Sequence, residues 1–119
     1  MQSAIRTLLV TNDFPPTVGG IQSYLRDFAA ELANRVGPEN LVVFASTQDA
    51  EAAHQWDASV PYTVVRWPRR VMFPTPATAR EVQRLIRVHG IATVWFGAAA
   101  PLALMGAACL LYTSPSPRD

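Results

Sequence analysis

The sequence contains no lysine; its ten basic residues are all arginine. Together with abundant alanine, valine and proline, this points to a GC-rich coding sequence, which bears on composition and not on function. Cysteine is nearly absent. The single copy, Cys109, lies in an atypical tail, so the rest of the chain offers no disulfide, no thiol nucleophile and no thiolate metal site. Excess charge of either sign is missing too. A net charge of +1 argues against nucleic acid as a main partner. The G-x-G-x-x-G fingerprint is absent, which disfavours a dinucleotide oxidoreductase. No long apolar stretch follows the start at residues 1–6, so no signal peptide is expected and the chain reads as cytoplasmic. Residues 91–117 carry no charge, but Gly97, Pro101 and Gly106 interrupt them. A strand followed by a buried helix fits that run better than a membrane span.

What remains suits one α/β domain. The chain has 119 residues, half of them hydrophobic and 16% charged, enough for a single core. It is organised around Leu8-Leu9-Val10-Thr11-Asn12-Asp13-Phe14-Pro15-Pro16-Thr17-Val18-Gly19-Gly20-Ile21. An apolar run stops at polar residues, a proline-rich loop follows, and two glycines lead into a helical pattern. Strand, loop and helix start make the unit on which α/β proteins hold phosphate groups. Gly19 and Gly20 lack a Cβ, so a ligand can come close to the backbone while N–H groups of the first helical turn point outward. The positive end of the helix dipole favours a diphosphate or carboxylate there. An ordinary tight βα turn uses glycine as well, so the pattern alone leaves that reading open.

Along the chain, residues 5–11 read as a first, central strand. From Gly20 to Val36, Ile21, Leu25, Phe28, Leu32 and Val36 recur at spacings of four and three, an amphipathic helix ended by Gly37-Pro38. Leu41 to Ala45 form a second strand, and residues 47–57 a polar loop with a short helix and a surface His54. Residues 62–67 form a third strand between Pro61 and Pro68. Residues 78–89 make a second long helix with Val82, Leu85, Ile86 and His89 inward. Residues 91–96 form a fourth strand, and 99–108 begin a third helix. This alternation implies a partial Rossmann-like parallel sheet with flanking helices. One sheet edge is expected to lack a cover. Ligands of such sheets sit beyond the strands' carboxyl ends, which puts Asn12, Asp13, Gly19 and Gly20 on one rim with residues 66–70 and Gly97 near it.

Residues 109–119 depart from the rest, an alanine-rich run turning abruptly into a proline-serine tail. A back-translation of the whole tail resembles the transposase mosaic-end adapter of sequencing libraries. The native domain is therefore expected to span residues 1–108, cut short by the adapter.

From Thr11 to Tyr24 the chain resembles the amino-terminal domain of GT-B glycosyltransferases of the family-4 type. The Pro15-Pro16-x-x-Gly19-Gly20 loop carries most of the likeness, which runs to about Ala108 and includes the Val64-Val65-Arg66-Trp67-Pro68 strand end. Within that family it is most similar to the phosphatidylinositol mannoside mannosyltransferases. The resemblance implies two Rossmann-like domains about a cleft and metal-independent, retaining sugar transfer. The donor would be GDP-mannose or another nucleotide sugar, and the acceptor a lipid or sugar. It also implies that Gly19 and Gly20 face the donor diphosphate, that Asp13 accepts hydrogen bonds from sugar or acceptor hydroxyls, and that Gln22 contributes from the first helical turn. The family's donor motif and active-site histidine lie in regions this chain lacks, and neither His54 nor His89 matches that histidine. No catalytic residue is therefore named, and the fragment itself is expected to be inactive.

Arg80, Arg84 and Arg87 share one face of the second long helix, opposite Val82, Leu85 and Ile86. With Arg69 and Arg70 they could form a basic surface against anionic lipid at the inner membrane face; an ordinary solvated face explains them too. Trp67, Phe73, Trp95 and Phe96 are expected to serve as core and rim packing, and Asp27 and Glu31 as solvated carboxylates. A rival outside the transferases is a phosphate-binding or receiver-type module. A receiver would want clustered acids at the first strand end and an aspartate after a middle strand, yet only Asp13 is present.

Overall fold

Thr7-Leu8-Leu9-Val10-Thr11 is apolar at its centre and capped by β-branched residues, so it suits a strand covered on both faces. In the computed structural model, which describes residues 5–12, 14–16, 19–73 and 75–97, all five are buried. The elements run β1 (Thr7–Thr11), α1 (Gly20–Val36), a 3₁₀ turn (Pro38–Asn40), β2 (Leu41–Ala45), α2 (Ala50–Asp57), β3 (Thr63–Arg66), α3 (Pro76–His89) and β4 (Thr93–Gly97). The sheet order is β3-β2-β1-β4 and every pairing is parallel. This is the expected α/β, Rossmann-like arrangement. The helix expected at residues 99–108 and the tail at 109–119 lie outside the described residues.

Strand alternation sends side chains to two cores. Leu9, Leu41, Val43 and Ala45 meet Leu25, Ala29, Leu32 and Ala33 of α1 on one face. Leu8, Val10, Val42 and Phe44 meet Val82 and Leu85 of α3 on the other. Each fully buried side chain of this size contributes about 1.5–3 kcal/mol relative to exposure. The two-sided burial is what fixes the height of the rim at the strands' carboxyl ends.

Local chemistry sets the element ends. α1 stops at Gly37, whose φ of 94° and N–H bond to the Ala33 carbonyl (2.9 Å) form a turn that only glycine enters without strain. Thr75 and Thr78 form a reciprocal capping box, and Pro76 occupies the first turn. Hence α3 starts at Pro76, two residues ahead of the start expected from periodicity. β1 begins at Thr7 instead of residue 5, because Ile5 is exposed and the Arg6 carbonyl is engaged by the amides of Ala92 and Thr93. β3 is shorter than expected at both ends. Tyr62 leaves the ladder to join the α1-side core, while Trp67 keeps a single bond to the Ala45 carbonyl (2.7 Å).

The aromatic expectations divide. Trp67 and Phe96 pack half-buried on the α3 side, Trp67 edge-on to Phe44 at 6.1 Å. Phe73 and Trp95 are 56% and 47% exposed, so they lie outside the core. Trp95 lies on the edge strand β4 and touches Phe28 edge-on at 5.6 Å, while Phe73 projects from the loop after β3. His89 is half-buried at the end of α3, its carbonyl held by the Arg6 guanidinium. His54 sits exposed on α2, not in a loop.

Burial pushes the Tyr62 phenol up from 10.0 to about 12, with Asp57 adding to the rise and Arg66 opposing it. Between those values the unfolded chain releases the proton first, so the folded state binds more protons. Stability should then fall as pH rises from about 10 through about 12. Tyr62→Phe is expected to flatten that part of the curve, read as urea midpoints against pH. Equal slopes in the two proteins would contradict it.

Candidate functional site

The last rungs of the four strands lie side by side: Thr11 pairs with Ala45 and with Gly97, and Ala45 with Arg66. The loops leaving that line are stitched together by polar residues just at or past the strand ends. Asn12 exchanges two bonds with the Met72 backbone, Met72 N–H to Oδ1 at 2.6 Å and Nδ2 to the carbonyl at 3.1 Å. Ser46 Oγ donates to the Asn12 carbonyl at 2.6 Å. Arg66 donates to the Ser46 carbonyl at 2.8 Å and the Pro15 carbonyl at 2.7 Å. Thr47 and Gln48 hold the backbone of Trp67 and Arg70 at 2.9 and 2.7 Å. The rim is thus a cross-braced set of loops and not a row of independent turns.

Phe14 and Pro15 turn inward, and the chain re-emerges at Gly19 to start α1. Ser23 N–H is the first amide taken up by the helix, on the Gly19 carbonyl at 3.0 Å. Among the described residues, no backbone carbonyl takes up the amides ahead of it at Gly20 and Gln22, as expected for a first helical turn. They are available to an anion.

Neither glycine is demanded by the backbone. The φ of Gly19, 166°, is extended backbone open to any residue. At Gly20 an added Cβ would meet nothing within 4 Å. At Gly19 it would lie 2.3 Å from Gln22 Oε1, the tip of a flexible side chain folded back over the turn. The fold therefore leaves the two glycines unexplained, and the open space over Gly20 is what they add. Asp13 lies outside the described residues.

Arg69 and Arg70 are exposed and line a shallow cleft of about 450 Å³ with Trp67, Val71, Phe73 and Thr78, between the loop after β3 and the start of α3. Arg80, Arg84 and Arg87 are exposed on α3 as the spacing predicts. Arg84 is committed to Glu81 at 2.6 Å, which leaves Arg80 and Arg87 as the less engaged charges of that face. Asp27 and Glu31 are exposed and each meets an arginine, Arg26 at 3.1 Å and Arg35 at 3.0 Å. Among the described residues no three His, Cys, Asp or Glu side chains group as metal ligands, and no helix is long and apolar enough to cross a membrane.

The sequence reading placed Asn12 and Arg66 near the rim but missed their bracing role, and it missed Ser46 altogether. A signal existed: each is a polar residue at or one step past the carboxyl end of an apolar strand.

No protein-family model matches the chain. Curated relatives do, among them the following three. It is 60% identical over 105 residues to the GDP-mannose-dependent monoacylated alpha-(1-6)-phosphatidylinositol monomannoside mannosyltransferase of Corynebacterium glutamicum, covering 88% of this chain and 26% of that protein. It is 53% identical over 100 residues to the GDP-mannose-dependent alpha-(1-6)-phosphatidylinositol monomannoside mannosyltransferase of Mycolicibacterium smegmatis, covering 83% of this chain and 25% of that one. Against the protein of the same description from Mycobacterium tuberculosis the figures are 48% over 100 residues, 84% and 26%. The chain spans about a quarter of the length of the curated relatives it matches. It is a homologue of these mannosyltransferases with the length of a fragment of one.

Proposed function

We propose that this chain is the amino-terminal part of a GT-B, family-4 mannosyltransferase that carries mannose from GDP-mannose to a phosphatidylinositol mannoside lipid, with retention and without a metal. The observation that supports this best is the open first turn of α1. Amides that no described carbonyl takes up and a Cβ-free surface at Gly20 lie at the carboxyl rim of a parallel sheet, in a homologue of enzymes named for a diphosphate-containing donor. Such amides, with the helix dipole behind them, stabilise the charge that gathers on the diphosphate as the sugar leaves. Gly19 and Gly20 would face that diphosphate, Gln22 would border it, and Asp13 would accept from sugar or acceptor hydroxyls. The groups that complete the reaction belong to the rest of the protein, so the 119-residue chain alone transfers nothing.

The test is the full-length protein with radiolabelled GDP-mannose and phosphatidylinositol monomannoside. Label should enter the lipid. Absence of transfer from GDP-mannose, or equal transfer from UDP-glucose, would overturn the donor assignment.

The lipid acceptor requires contact with a membrane surface. Arg69 and Arg70, beside the exposed apolar Val71 and Phe73, supply charge and apolar area together, and Arg80, Arg84 and Arg87 extend the charge along α3. Replacing the five arginines by glutamine should reduce co-sedimentation of the full-length protein with anionic vesicles by roughly tenfold or more, at about 1 kcal/mol per surface charge. Unchanged sedimentation would remove the membrane role.

A further inference from the structure

Arg66 makes more contacts than an ion pair needs. Its guanidinium forks onto Asp57, Nε to Oδ2 at 3.0 Å and Nη2 to Oδ1 at 2.8 Å. The two side chains are only 13% and 18% exposed. The same guanidinium donates to the Ser46 carbonyl and, through Nη2, to the Pro15 carbonyl, and it lies 5.8 Å from the Phe14 ring centroid. One side chain therefore ties together the end of α2, the exit of β2 and the loop that follows β1. Asp57 alone would satisfy the charge; the two carbonyls are additional, and one of them belongs to the segment that delivers Gly19.

That segment is held at two of its described residues. Asn12 is fixed by Met72 and Ser46, and Pro15 by Arg66. Ser46 is common to the two halves, since its hydroxyl holds Asn12 while its carbonyl is held by Arg66. Lysine cannot substitute, because a single ammonium reaches one or two acceptors and lacks the planar fork.

We infer that Arg66 is a positioning residue that sets where the Gly19–Gly20 turn stands over the sheet rim, and so the aim of its amides at the donor diphosphate; this rests on the transferase reading above. Arg66 does not touch the donor. It acts through the Pro15 carbonyl, and a misplacement of about 1 Å in such a site costs on the order of 100-fold in rate.

The experiment compares Arg66→Lys, Arg66→Gln and Asp57→Asn in the full-length protein, at a temperature where all are folded by circular dichroism. Readouts are kcat/KM for GDP-mannose and amide hydrogen exchange across residues 23–26, the first amides that α1 holds, starting with Ser23 on the Gly19 carbonyl. Both Arg66 variants should lose roughly 10- to 100-fold in kcat/KM and exchange faster at those amides. Asp57→Asn leaves the bonds to Ser46 and Pro15 available, so it should stay close to wild type in both readouts even if its melting temperature drops. Should Arg66→Gln fail to fold, Arg66→Lys keeps the charge and still lacks the fork. Equal losses in Asp57→Asn and Arg66→Lys would reduce Arg66 to a structural ion pair, and wild-type kinetics with unchanged exchange in Arg66→Lys would overturn the inference. If the wild-type protein transfers nothing from GDP-mannose, the transferase reading fails alone; faster exchange in Arg66→Lys but not in Asp57→Asn would still establish the brace, and no difference would refute it.

Discussion

Gly20→Ala is expected to leave the fold intact while removing most of the full-length protein's transfer activity. A Cβ at Gly20 meets nothing within 4 Å. The residue opens α1, where alanine is preferred to glycine by up to about 0.5–1 kcal/mol, so the melting temperature should hold or rise slightly. The same methyl would occupy the space through which a diphosphate approaches the amides of the turn, and kcat/KM for GDP-mannose should fall on the order of 100-fold. The separation of the two readouts is the point. Gly37 shows the opposite logic: its φ of 94° requires glycine for the backbone alone, at the opposite end of α1. If Gly20→Ala retained full activity at full stability, the space over the turn would have no ligand to serve.

Phe14→Ala is expected to have the largest effect on stability. Phe14 is fully buried three positions past the last rung at Thr11, edge-on to Trp56 at 5.2 Å and under the Arg66 guanidinium. Removing a buried phenyl costs about 3–5 kcal/mol through lost transfer energy and the cavity left behind. Against a total of roughly 5–15 kcal/mol, that is enough to unfold a marginal domain. Urea unfolding should show a midpoint lowered in proportion, or no folded baseline at 25 °C. A loss below about 1 kcal/mol would mean that the loop after β1 is not anchored on the body of the domain.

What the sequence made legible followed from local physics. α1 and β2 matched their expected bounds because Gly37-Pro38 ends one pattern and the run from Leu41 to Ala45 is uniformly apolar. The start of α3 was set at Thr78, two residues late, because the apolar periodicity begins only at Val82; the true cap, Thr75, is visible only through its bond with Thr78. Whether Trp95 would be core or rim was not legible: its strand is a sheet edge, which leaves it half exposed, and edge status is a property of topology. At the site, the glycines were legible because lack of a side chain has a local meaning. The bracing was not, since Arg66 reaches Pro15 across 51 positions and Asn12 reaches Met72 across 60. No periodicity encodes such pairs. Only the parallel order, which aligns Thr11, Ala45 and Arg66 on one rim, brings them together.

The most direct measurement is a structure of the full-length protein with GDP-mannose bound. Diphosphate oxygens should lie about 3 Å from amide nitrogens of the first turn of α1, at or next to Gly20, with no side chain between them. A diphosphate held wholly by other parts of the protein, with the Gly19–Gly20 turn facing water, would contradict the proposed role of that turn.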